Sequence, residues 1–354
     1  MLGEHPLALD RGVITKWIRM GLNPFALISS MLVESQFVTG NLECILSSET
    51  ELKGYRARTL RAPPQAAALL REVGFSAVSV ANNHTMDHGP GAFKQTINAL
   101  QRENVAVCGT HHDPLFYPIK DCSDSGEIVV ALIGVSFRPN TTDYEPLYTI
   151  IETPNDFQLL CQSVEAAKSK ADVLVVHCHW GDEFVTIPSP RQIEIARELV
   201  SRGVDIIFGH HPHVYQGMQM FSNSPVFFSL GNFVSDMKQA FLRRSAIAVV
   251  NVDSHLQFQA KPEPIRIDSH HRPCISQSIA DRNFIQTTDH VSSMLVKGGL
   301  DAFYQLQLKR ARMRYRRDLI LDYIISLGEN PHLRFEIGVD SIKRITASLR
   351  GRIT

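Results

Sequence analysis

The sequence has 354 residues, of which 44% are hydrophobic and 20% charged, with 36 lysines and arginines balanced by 36 aspartates and glutamates. This composition is that of a globular protein and excludes a disordered chain. The zero net charge gives no sign of a nucleic-acid partner or of an anionic membrane. Six cysteines without a C-x-x-C pair speak against a zinc ribbon and predict reduced thiols, although the even count leaves disulfides open.

Signals for export and membrane insertion are not apparent in the sequence. No run of about 18 apolar residues occurs, so no transmembrane helix is predicted. The first residues, Met1–Pro6, lack the basic head and apolar stretch of a secretory signal. We therefore expect a cytoplasmic protein without a transmembrane segment.

Short apolar runs alternate with helical patterns over the first 250 residues. A helix is predicted at 65–73, because Pro63 and Pro64 suit its first turn and Gly74 its end. Apolar runs this short, placed between helices, indicate a largely buried sheet with helices on its faces. The predicted strands are 36–39, 76–80, 105–108, 128–135, 171–176, 204–208, 226–229 and 246–252, and the further helices are 90–103, 155–169 and 190–201.

Polar residues follow five of these strands at the point where each strand ends. In α/β sheets, ligands bind in the crevice outside the carboxyl ends of the strands. Five such ends along one edge would form a single site from carboxylate, amide and imidazole groups. The residues concerned are Asn41-Leu42-Glu43, Asn82-Asn83-His84, His177-Cys178-His179, His211-Pro212-His213 and Gly231-Asn232.

Each of these motifs also has a simpler interpretation. Asn83-His84 after a strand is commonly a turn or a cap, His179 suits a histidine within the core, and Gly231-Asn232 by itself is a turn. The segment 211–213 is more informative, because two imidazoles two residues apart, held by a proline, can both face one ion. Their joint occurrence at equivalent strand ends favours one metal site over several unrelated features.

A family resemblance rests on five motifs in chain order: Asn41-Leu42-Glu43, Ala81-Asn82-Asn83-His84 with Asp87 and Gly89, His179-Trp180-Gly181 with Glu183, Gly209-His210-His211-Pro212-His213, and Ser229-Leu230-Gly231-Asn232-Phe233. Together they resemble the bacterial capsule-synthesis protein CapA family (poly-γ-glutamate synthesis), which is similar to the calcineurin-like metallophosphatases. The resemblance covers about Met1 to Asp236 and weakens beyond it. The motifs are specific in combination and weak singly.

The resemblance implies an α/β fold, a metallophosphatase-like sandwich of two β-sheets flanked by helices. The sequence beyond the resemblance predicts a helical C-terminal extension. The resemblance also implies a metal site at the strand ends. Mixed carboxylate, amide and imidazole ligands suit one or two divalent ions such as Mn²⁺, Fe²⁺ or Zn²⁺ rather than Ca²⁺. The implied metal ligands are Glu43, Asn83, His179, His211 and His213, and the carboxylate of Glu43 would bridge two ions.

Two further residues have implied catalytic roles. His84 resembles the acid that protonates a leaving group. Asp87 lies close to it in sequence and would orient it, since an imidazole usually needs a neighbouring carboxylate to fix its tautomer.

One expected motif is not found in the sequence. Family members begin this domain with an apolar strand that ends in Gly-Asp, and the aspartate binds a metal, whereas Met1-Leu2-Gly3 stands where that segment ends. Either the strand, with an N-terminal anchor if one exists, precedes Met1, or the site has lost one metal and is mononuclear or inert. We favour the first, because losing a core strand exposes the backbone edges of its neighbours.

The C-terminal third is less informative. We predict a CapA-like domain at 1–268, with its N-terminal strand missing, and a mostly helical extension at 269–354. His270-His271 is either a second histidine pair or, as we favour, part of a loop. A long helix is predicted at 301–327. Its basic run at 309–317 is a solvated face or a contact for an anionic polymer, a lipid surface or a partner protein.

Two classes of function fit these expectations. The first is a metal-dependent hydrolase of capsule or exopolymer biosynthesis that cleaves a phosphoester or a γ-glutamyl amide. The second is a non-catalytic polymer-binding or assembly component with a degenerate metal site. The expected partners are an anionic polymer or its precursors and other capsule-synthesis proteins, with peripheral membrane contact through 309–317.

Overall fold

The computed structural model of the chain describes residues 12–51, 59–111, 114–120, 126–139, 142–235, 237, 239–298, 301–329 and 339. The helices are α1 (Val13–Arg19), α2 (Ser29–Val33), α3 (Ala66–Glu72), α4 (Gly89–Arg102), α5 (Pro154–Lys168), α6 (Pro190–Ser201), α7 (Ile279–Gly298) and α8 (Asp301–Glu329). The strands are β1 (Val38–Asn41), β2 (Ile45–Leu46), β3 (Arg61–Ala62), β4 (Phe75–Ser79), β5 (Ala106–Cys108), β6 (Leu115–Lys120), β7 (Glu127–Ser136), β8 (Val173–His179), β9 (Ile206–His210), β10 (Tyr215–Phe221), β11 (Ser224–Leu230), β12 (Arg244–Val252), β13 (Phe258–Ile267) and β14 (Pro273–Ile275).

The largest sheet has six strands in the order β10-β11-β9-β8-β7-β6. Its four central strands are parallel, and an antiparallel strand lies at each edge. Every residue of β8 is buried, which explains why this strand is a continuous apolar run until its last residues. The parallel arrangement brings the carboxyl ends of β8, β9 and β11 to one edge.

A smaller parallel sheet, in the order β1-β4-β5, packs against the six-stranded sheet. Side chains from both sheets form a shared core, which includes Ala77 and Cys108 from the small sheet and Val130, Val173 and Ile206 from the large one. Helices α3 and α4 cover the outer face of the small sheet, and α5 and α6 cover that of the large one. The result is four layers, with sheets inside and helices outside.

Capping motifs in the sequence define where helices α5 and α6 begin. Thr153 and Ser189 each accept a hydrogen bond from the backbone N–H three residues later, and the side chains of Asp156 and Gln192 accept the reciprocal bonds. Both helices have a proline at the first turn. These capping boxes satisfy backbone donors that the helix cannot, so each helix begins at a defined residue.

The C-terminal elements are joined to the sheets by hydrogen bonds. A third sheet, β12-β13-β14, is antiparallel, and α7 lies against β10. The Tyr215 hydroxyl and the Met218 N–H both donate to Oδ1 of Asp289 on α7. The Ser292 hydroxyl donates to the carbonyl of Gln216 at 2.5 Å. Helix α7 therefore belongs to the packed body of the protein.

Strands β1 and β12 each have one edge that no other described strand pairs with. Both strands line a cavity of ≈ 670 Å³ between the sheets. Apolar residues such as Val173, Phe208 and Phe233 line it on both sides, and it reaches Glu43 and His211. Its apolar lining and the two strand edges that the described strands leave unpaired suit one more apolar strand.

The structure confirms an α/β fold of sheets flanked by helices with a helical C-terminal part. The predicted strands and helices of the first 250 residues are present within a few residues. The sequence did not reveal α1, α2, α7 or the strands β2, β3, β6, β10, β13 and β14. His270 and His271 lie in the loop between β13 and β14. The segment 1–11, where the missing motif was considered, and Cys122 lie outside the described residues.

The structure also bears on the predicted reduced thiols and on the predicted lack of a transmembrane helix. The five cysteines within the described ranges have free thiols. Over those same ranges, no helix has the length and apolarity needed to cross a membrane. The division at residue 268 stays a prediction, although it separates β14 from its partner strand β13.

The carboxylate of Asp281, at the start of α7, fastens this helix to the third sheet. It is buried, pairs with Arg266 and with Nε of Arg244 at 3.1 Å, and accepts the Ser276 hydroxyl at 2.5 Å. Burial alone raises the pKa of Asp281, but the hydrogen bonds from Arg266 and Ser276 and the two positive charges outweigh it and hold the pKa below its usual value.

We expect Asp281→Asn to lower the free energy of unfolding by about 2 kcal/mol at pH 7, because the arginines lose a charged acceptor. The depressed pKa stabilises the fold above the unfolded-state pKa of about 4, and this stability is lost as the pH falls through the lower folded-state pKa. Urea denaturation at pH 7 and pH 3 measures both effects. Glu194→Gln, at an exposed pair with Arg191, is the control and should change little; equal effects of the two substitutions would contradict the assignment.

Candidate metal centre

The predicted site residues lie at the carboxyl ends of β1, β4, β8 and β9. Glu43 follows β1, Asn83 and His84 follow β4, His179 ends β8, and the segment 211–213 follows β9. Residues 81–88 are all buried, as are the three histidines. The strand ends therefore place residues that are far apart in sequence in one enclosed site.

Three of the predicted ligands form a tight cluster. One ligand atom from each of Glu43, His179 and His211 lies within 4.8 Å of the other two. Oε1 of Glu43 is 3.9 Å from Nε2 of His179 and 3.7 Å from Nε2 of His213. A carboxylate oxygen thus faces three imidazoles at separations that a cation between them would bridge.

The imidazoles of this cluster are suited to donate lone pairs. Burial holds the pKa of His179 and of His211 well below the ordinary value of 6.5, and the neighbouring histidines and Arg138 lower it further. Both rings are therefore neutral at physiological pH. Neutral imidazole is the form that binds metal ions.

Several polar atoms of the cluster lack hydrogen-bond partners among the described residues. They are Oε1 of Glu43 and both ring nitrogens of His211, whose side chains are almost fully buried. A buried polar group without a partner costs about 1–3 kcal/mol. A divalent cation would satisfy the carboxylate oxygen and the one ring nitrogen of a neutral imidazole that has a free lone pair. The residues present therefore fit such an ion.

Two ligands adopt backbone conformations that non-glycine residues rarely occupy. The φ angle is +96° at His211 and +59° at His213. Each such conformation costs about 1–3 kcal/mol and persists where the surroundings require it. Here it turns both imidazoles of the motif toward Glu43, and Pro212 between them limits the alternatives.

Asn83 contributes its amide oxygen to the same site. Oδ1 of Asn83 lies 2.7 Å from Nε2 of His179. The neighbouring Asn82 has a structural role, because its amide donates to the carbonyl of Leu42 at 2.9 Å and thereby ties the β1 loop to the β4 loop. Its Oδ1 accepts the backbone N–H of His84 at 3.1 Å. Asn82 thus fixes the positions of the groups on both sides of it.

Asn232 orients His213. The amide nitrogen of Asn232 donates to the carbonyl of Leu242 at 3.2 Å, so its Oδ1 faces Nδ1 of His213 at 3.0 Å. Nδ1 therefore carries the ring hydrogen, which leaves the Nε2 lone pair directed toward Glu43. This arrangement is the usual way in which a protein selects the tautomer of a metal-binding histidine.

His84 and Asp87 form a buried pair beside the cluster. Nδ1 of His84 donates to Oδ2 of Asp87 at 2.8 Å, and the backbone N–H of Leu60 donates to the same oxygen at 2.7 Å. Burial lowers the pKa of His84, but the charge and hydrogen bond of Asp87, with smaller effects of Glu43 and Glu183, raise it to about 9. The imidazole is therefore protonated at neutral pH and has a proton to donate.

The roles of four residues at the site were not recognised from the sequence. Asn82 and Asn232 were placed at the site by the strand ends that they follow, but neither had an assigned role. His177 and His210 were also unassigned, although their rings stack with 5.3 Å between centroids and Nδ1 of His177 is 3.0 Å from Nε2 of His210. The spacing of the two histidines in β8 could have indicated a shared role. Because side chains alternate between the faces of a strand, His177 and His179 share one face, which is turned toward the small sheet.

These observations define an α/β protein with a candidate metal centre of buried imidazole, carboxylate and amide groups at a sheet edge. The sequence profile of the bacterial capsule synthesis protein PGA_cap family matches residues 8–237. The chain therefore belongs to this family, as the resemblance of its motifs indicated.

Curated relatives carry related names. The PGA biosynthesis protein CapA of Bacillus subtilis is 28% identical over 73% of this chain and 72% of its own. The capsule biosynthesis protein CapA of Bacillus anthracis is 29% identical over 75% of this chain and 67% of its own. Among solved structures, a 5'-nucleotidase from Candida albicans has a TM-score of 0.38 at 12% identity and covers 69% of this chain and 44% of its own.

We expect metal-free protein to bind Mn²⁺ or Zn²⁺ and to unfold at a higher temperature when it does. At an ion concentration of 100 times the dissociation constant, the stabilisation is about 2.7 kcal/mol. Glu43→Gln and His211→Ala each remove a ligand, and we expect each to weaken binding by about 100-fold or more. Calorimetric titration with elemental analysis measures affinity and stoichiometry.

The matched control is His255→Ala, because His255 lies on an exposed turn after β12. It should leave affinity and stoichiometry unchanged. A wild-type protein whose unfolding temperature does not respond to either ion would contradict the metal centre.

Proposed function

We propose that the protein is a metal-dependent hydrolase of capsule or exopolymer synthesis, acting on a phosphoester or on a γ-glutamyl amide. One observation carries the proposal: Glu43, His179, His211 and His213 direct ligand atoms into one buried space. Isolated charges and unpaired imidazoles are not buried together without a partner. Membership of the capsule synthesis family supports the pathway, and the relatives' names support an anionic polymer as its product.

The residues of the site would divide the chemistry between them. Glu43, Asn83, His179, His211 and His213 would hold one or two ions such as Mn²⁺, Fe²⁺ or Zn²⁺. A bound ion would supply Lewis-acid polarisation of the scissile group and an activated water. His84 would donate its Nε2 proton to the leaving group, since Nδ1 is held by Asp87. Asp87 would act by fixing the tautomer and keeping the imidazole charged.

A second candidate is a non-catalytic assembly component that retains the fold to bind polymer. The charge of the cluster favours it, because Glu43 is the one carboxylate that the described residues bring against the three imidazoles. A single carboxylate neutralises two divalent ions poorly. Under this alternative, the ion would stabilise the fold, and the surface would bind an anionic polymer and other capsule-synthesis proteins.

Replacing His84 separates the two candidates. For a hydrolase, we expect His84→Ala to lower the rate of hydrolysis by about 100- to 10,000-fold, the usual contribution of a general acid, with metal stoichiometry unchanged. The assay uses p-nitrophenyl phosphate and γ-glutamyl-p-nitroanilide as phosphoester and amide probes. His270→Ala, on the exposed loop after β13, is the control. Metal-loaded wild-type protein that cleaves neither probe supports the assembly component.

We further propose that the cavity between β1 and β12 seats the apolar strand that family members carry ahead of this region. Such a strand would join two open strand edges and bury apolar surface on both faces. Its C-terminal end would arrive beside Glu43 and His211, where the cavity meets the metal centre. The number of bound ions then depends on this strand.

A strand fused to the N-terminus tests this proposal. We expect a chain that carries an apolar strand ending in Gly-Asp to unfold at a higher temperature and to bind two ions. An extension of equal length rich in glycine and serine is the control and should change neither value. A fused apolar strand ending in Gly-Asp that leaves stability and metal stoichiometry unaltered would refute the proposal and favour a mononuclear site.

We propose a cytoplasmic protein that meets its polymer or a membrane surface through the basic residues of α8. Lys309, Arg310 and Arg317 are exposed on this helix, whereas Arg314 lies with its guanidinium 4.4 Å from the centroid of the Phe241 ring. The basic run is thus divided between an outer face and a face turned toward the body of the protein.

A further inference from the structure

Helix α8 lies outside the family-matched segment, yet it contributes to the surroundings of the metal centre. The loop that follows His179 packs against it, because Val185 and Ile187 form one apolar cluster with Tyr304 and Ala311 of α8. Tyr304 also donates its hydroxyl hydrogen to Asp182 in this loop. The first turns of α8 are therefore fixed relative to the site.

An aromatic series connects the helix to a predicted metal ligand. The ring of Phe184 lies 6.0 Å from the ring of His213 and 5.9 Å from that of Tyr315 on α8, at interplanar angles of 33° and 30°. Phe184 has a φ angle of +65°, a conformation that its surroundings must maintain. The wall beside His213 is thus built jointly by the β8 loop and by α8.

Two guanidinium groups line a small cavity in this wall. Arg138 comes from the loop after β7 and Arg312 from α8, and Phe184 and Tyr315 line the same cavity. Its volume of ≈ 20 Å³ is about the space that one water-sized oxygen needs. The Nε atoms of Arg138 and of Arg312 are buried and have no hydrogen-bond partner among the described residues.

The acidic residues of this wall are engaged elsewhere or only weakly paired. Asp182 accepts the Tyr304 hydroxyl, and its other oxygen is 3.8 Å from Nη1 of Arg138, beyond hydrogen-bond distance. Glu183 also lines the cavity, and its charge acts on His84. Neither carboxylate is hydrogen-bonded to the two buried Nε–H groups, which therefore remain available to an incoming acceptor.

We propose that Arg138 and Arg312 form an oxyanion subsite that holds one acidic group of the substrate, a carboxylate or a phosphate, beside the metal centre. Either group suits the guanidinium N–H donors, because each presents a charged oxygen that accepts strong hydrogen bonds, and the cavity has room for one such oxygen. A buried N–H without an acceptor is costly, so an oxygen that accepts hydrogen bonds from these Nε–H groups would remove that cost. The inference rests on the proposed function, since it assigns the anionic substrate to that same site.

The subsite would explain how a site at the sheet edge selects one repeating unit of an anionic polymer. The metal centre would bind the group to be cleaved, and the arginines would bind an acidic group next to it. The fixed distance between them would set the register of the polymer. Because Arg312 comes from α8, the C-terminal helix would determine specificity while the family-matched domain supplies the ligands.

Calorimetric titration of the full chain with inorganic phosphate, with glutarate and with uncharged glutaramide tests the subsite, in metal-free and Mn²⁺-loaded protein. We expect Arg138→Gln and Arg312→Gln each to weaken binding of phosphate or of glutarate by about tenfold or more. Glutaramide should not bind. The oxyanion whose affinity falls identifies the acidic group. Metal stoichiometry should not change in either variant, which excludes a merely structural effect.

The control is Lys309→Gln combined with Arg310→Gln, which removes two exposed charges from the same helix. It should leave affinity unchanged, since the subsite acts through contact. Arg312→Lys keeps the charge without the planar fork and should recover part of the affinity, which also covers the case that Arg312→Gln fails to fold. Equal affinities of wild type and both arginine variants, or a wild type that binds neither oxyanion at 10 mM (on the order of a weak fragment), would overturn the subsite. A chain that binds oxyanions through these arginines but no metal would instead refute the proposed function.

Discussion

The burial of Glu43 against three imidazoles is the constraint on which the rest of the site depends. A carboxylate removed from water is stable only when charge and hydrogen bonds compensate it. Burial keeps His179 and His211 neutral, so these rings offer lone pairs rather than positive charge. A cation is therefore the partner that satisfies the carboxylate and the rings together. The hydrogen bonds of Asn82 and Asn232 and the positive φ angles of the two histidines in the 211–213 segment hold these acceptors at one point.

The strand alternation explains how one sheet both folds the protein and builds the site. Along β8, Leu174, Val176 and Cys178 face the helices α5 and α6, whereas His177 and His179 face the small sheet. The face toward the helices therefore carries packing residues, whereas the other face carries the core residues Val173 and Val175 and then the two histidines at the carboxyl end of the strand. A substitution on the helix face would act on stability, and one at His177 or His179 would act on the site.

The sequence was sufficient to predict which residues follow the strand ends, but not which residues orient them by hydrogen bonds. Buried parallel strands are recognisable as apolar runs, so the positions of Glu43, His179 and His211 followed from where those runs end. The role of Asn232 was not recognisable, because a Gly-Asn turn looks the same whether or not its side chain orients a histidine. Strand β13 escaped notice because Pro262 and Pro264 lie within it and such residues ordinarily argue against a strand.

The C-terminal helix shows why a run of like charges does not by itself indicate an exposed surface. In sequence, the arginines of α8 appear equivalent, and their alternation with Ala311, Met313 and Tyr315 gives no clear amphipathic pattern. Packing distinguishes them, because Ala311 is buried against the loop that follows His179 while Arg310 faces outward. Arg312 thereby enters a wall in which its guanidinium is partly desolvated, and partial desolvation strengthens its interaction with any oxyanion. The same helix thus presents solvated charge on one side and directional donors on the other, and only the second can discriminate among ligands.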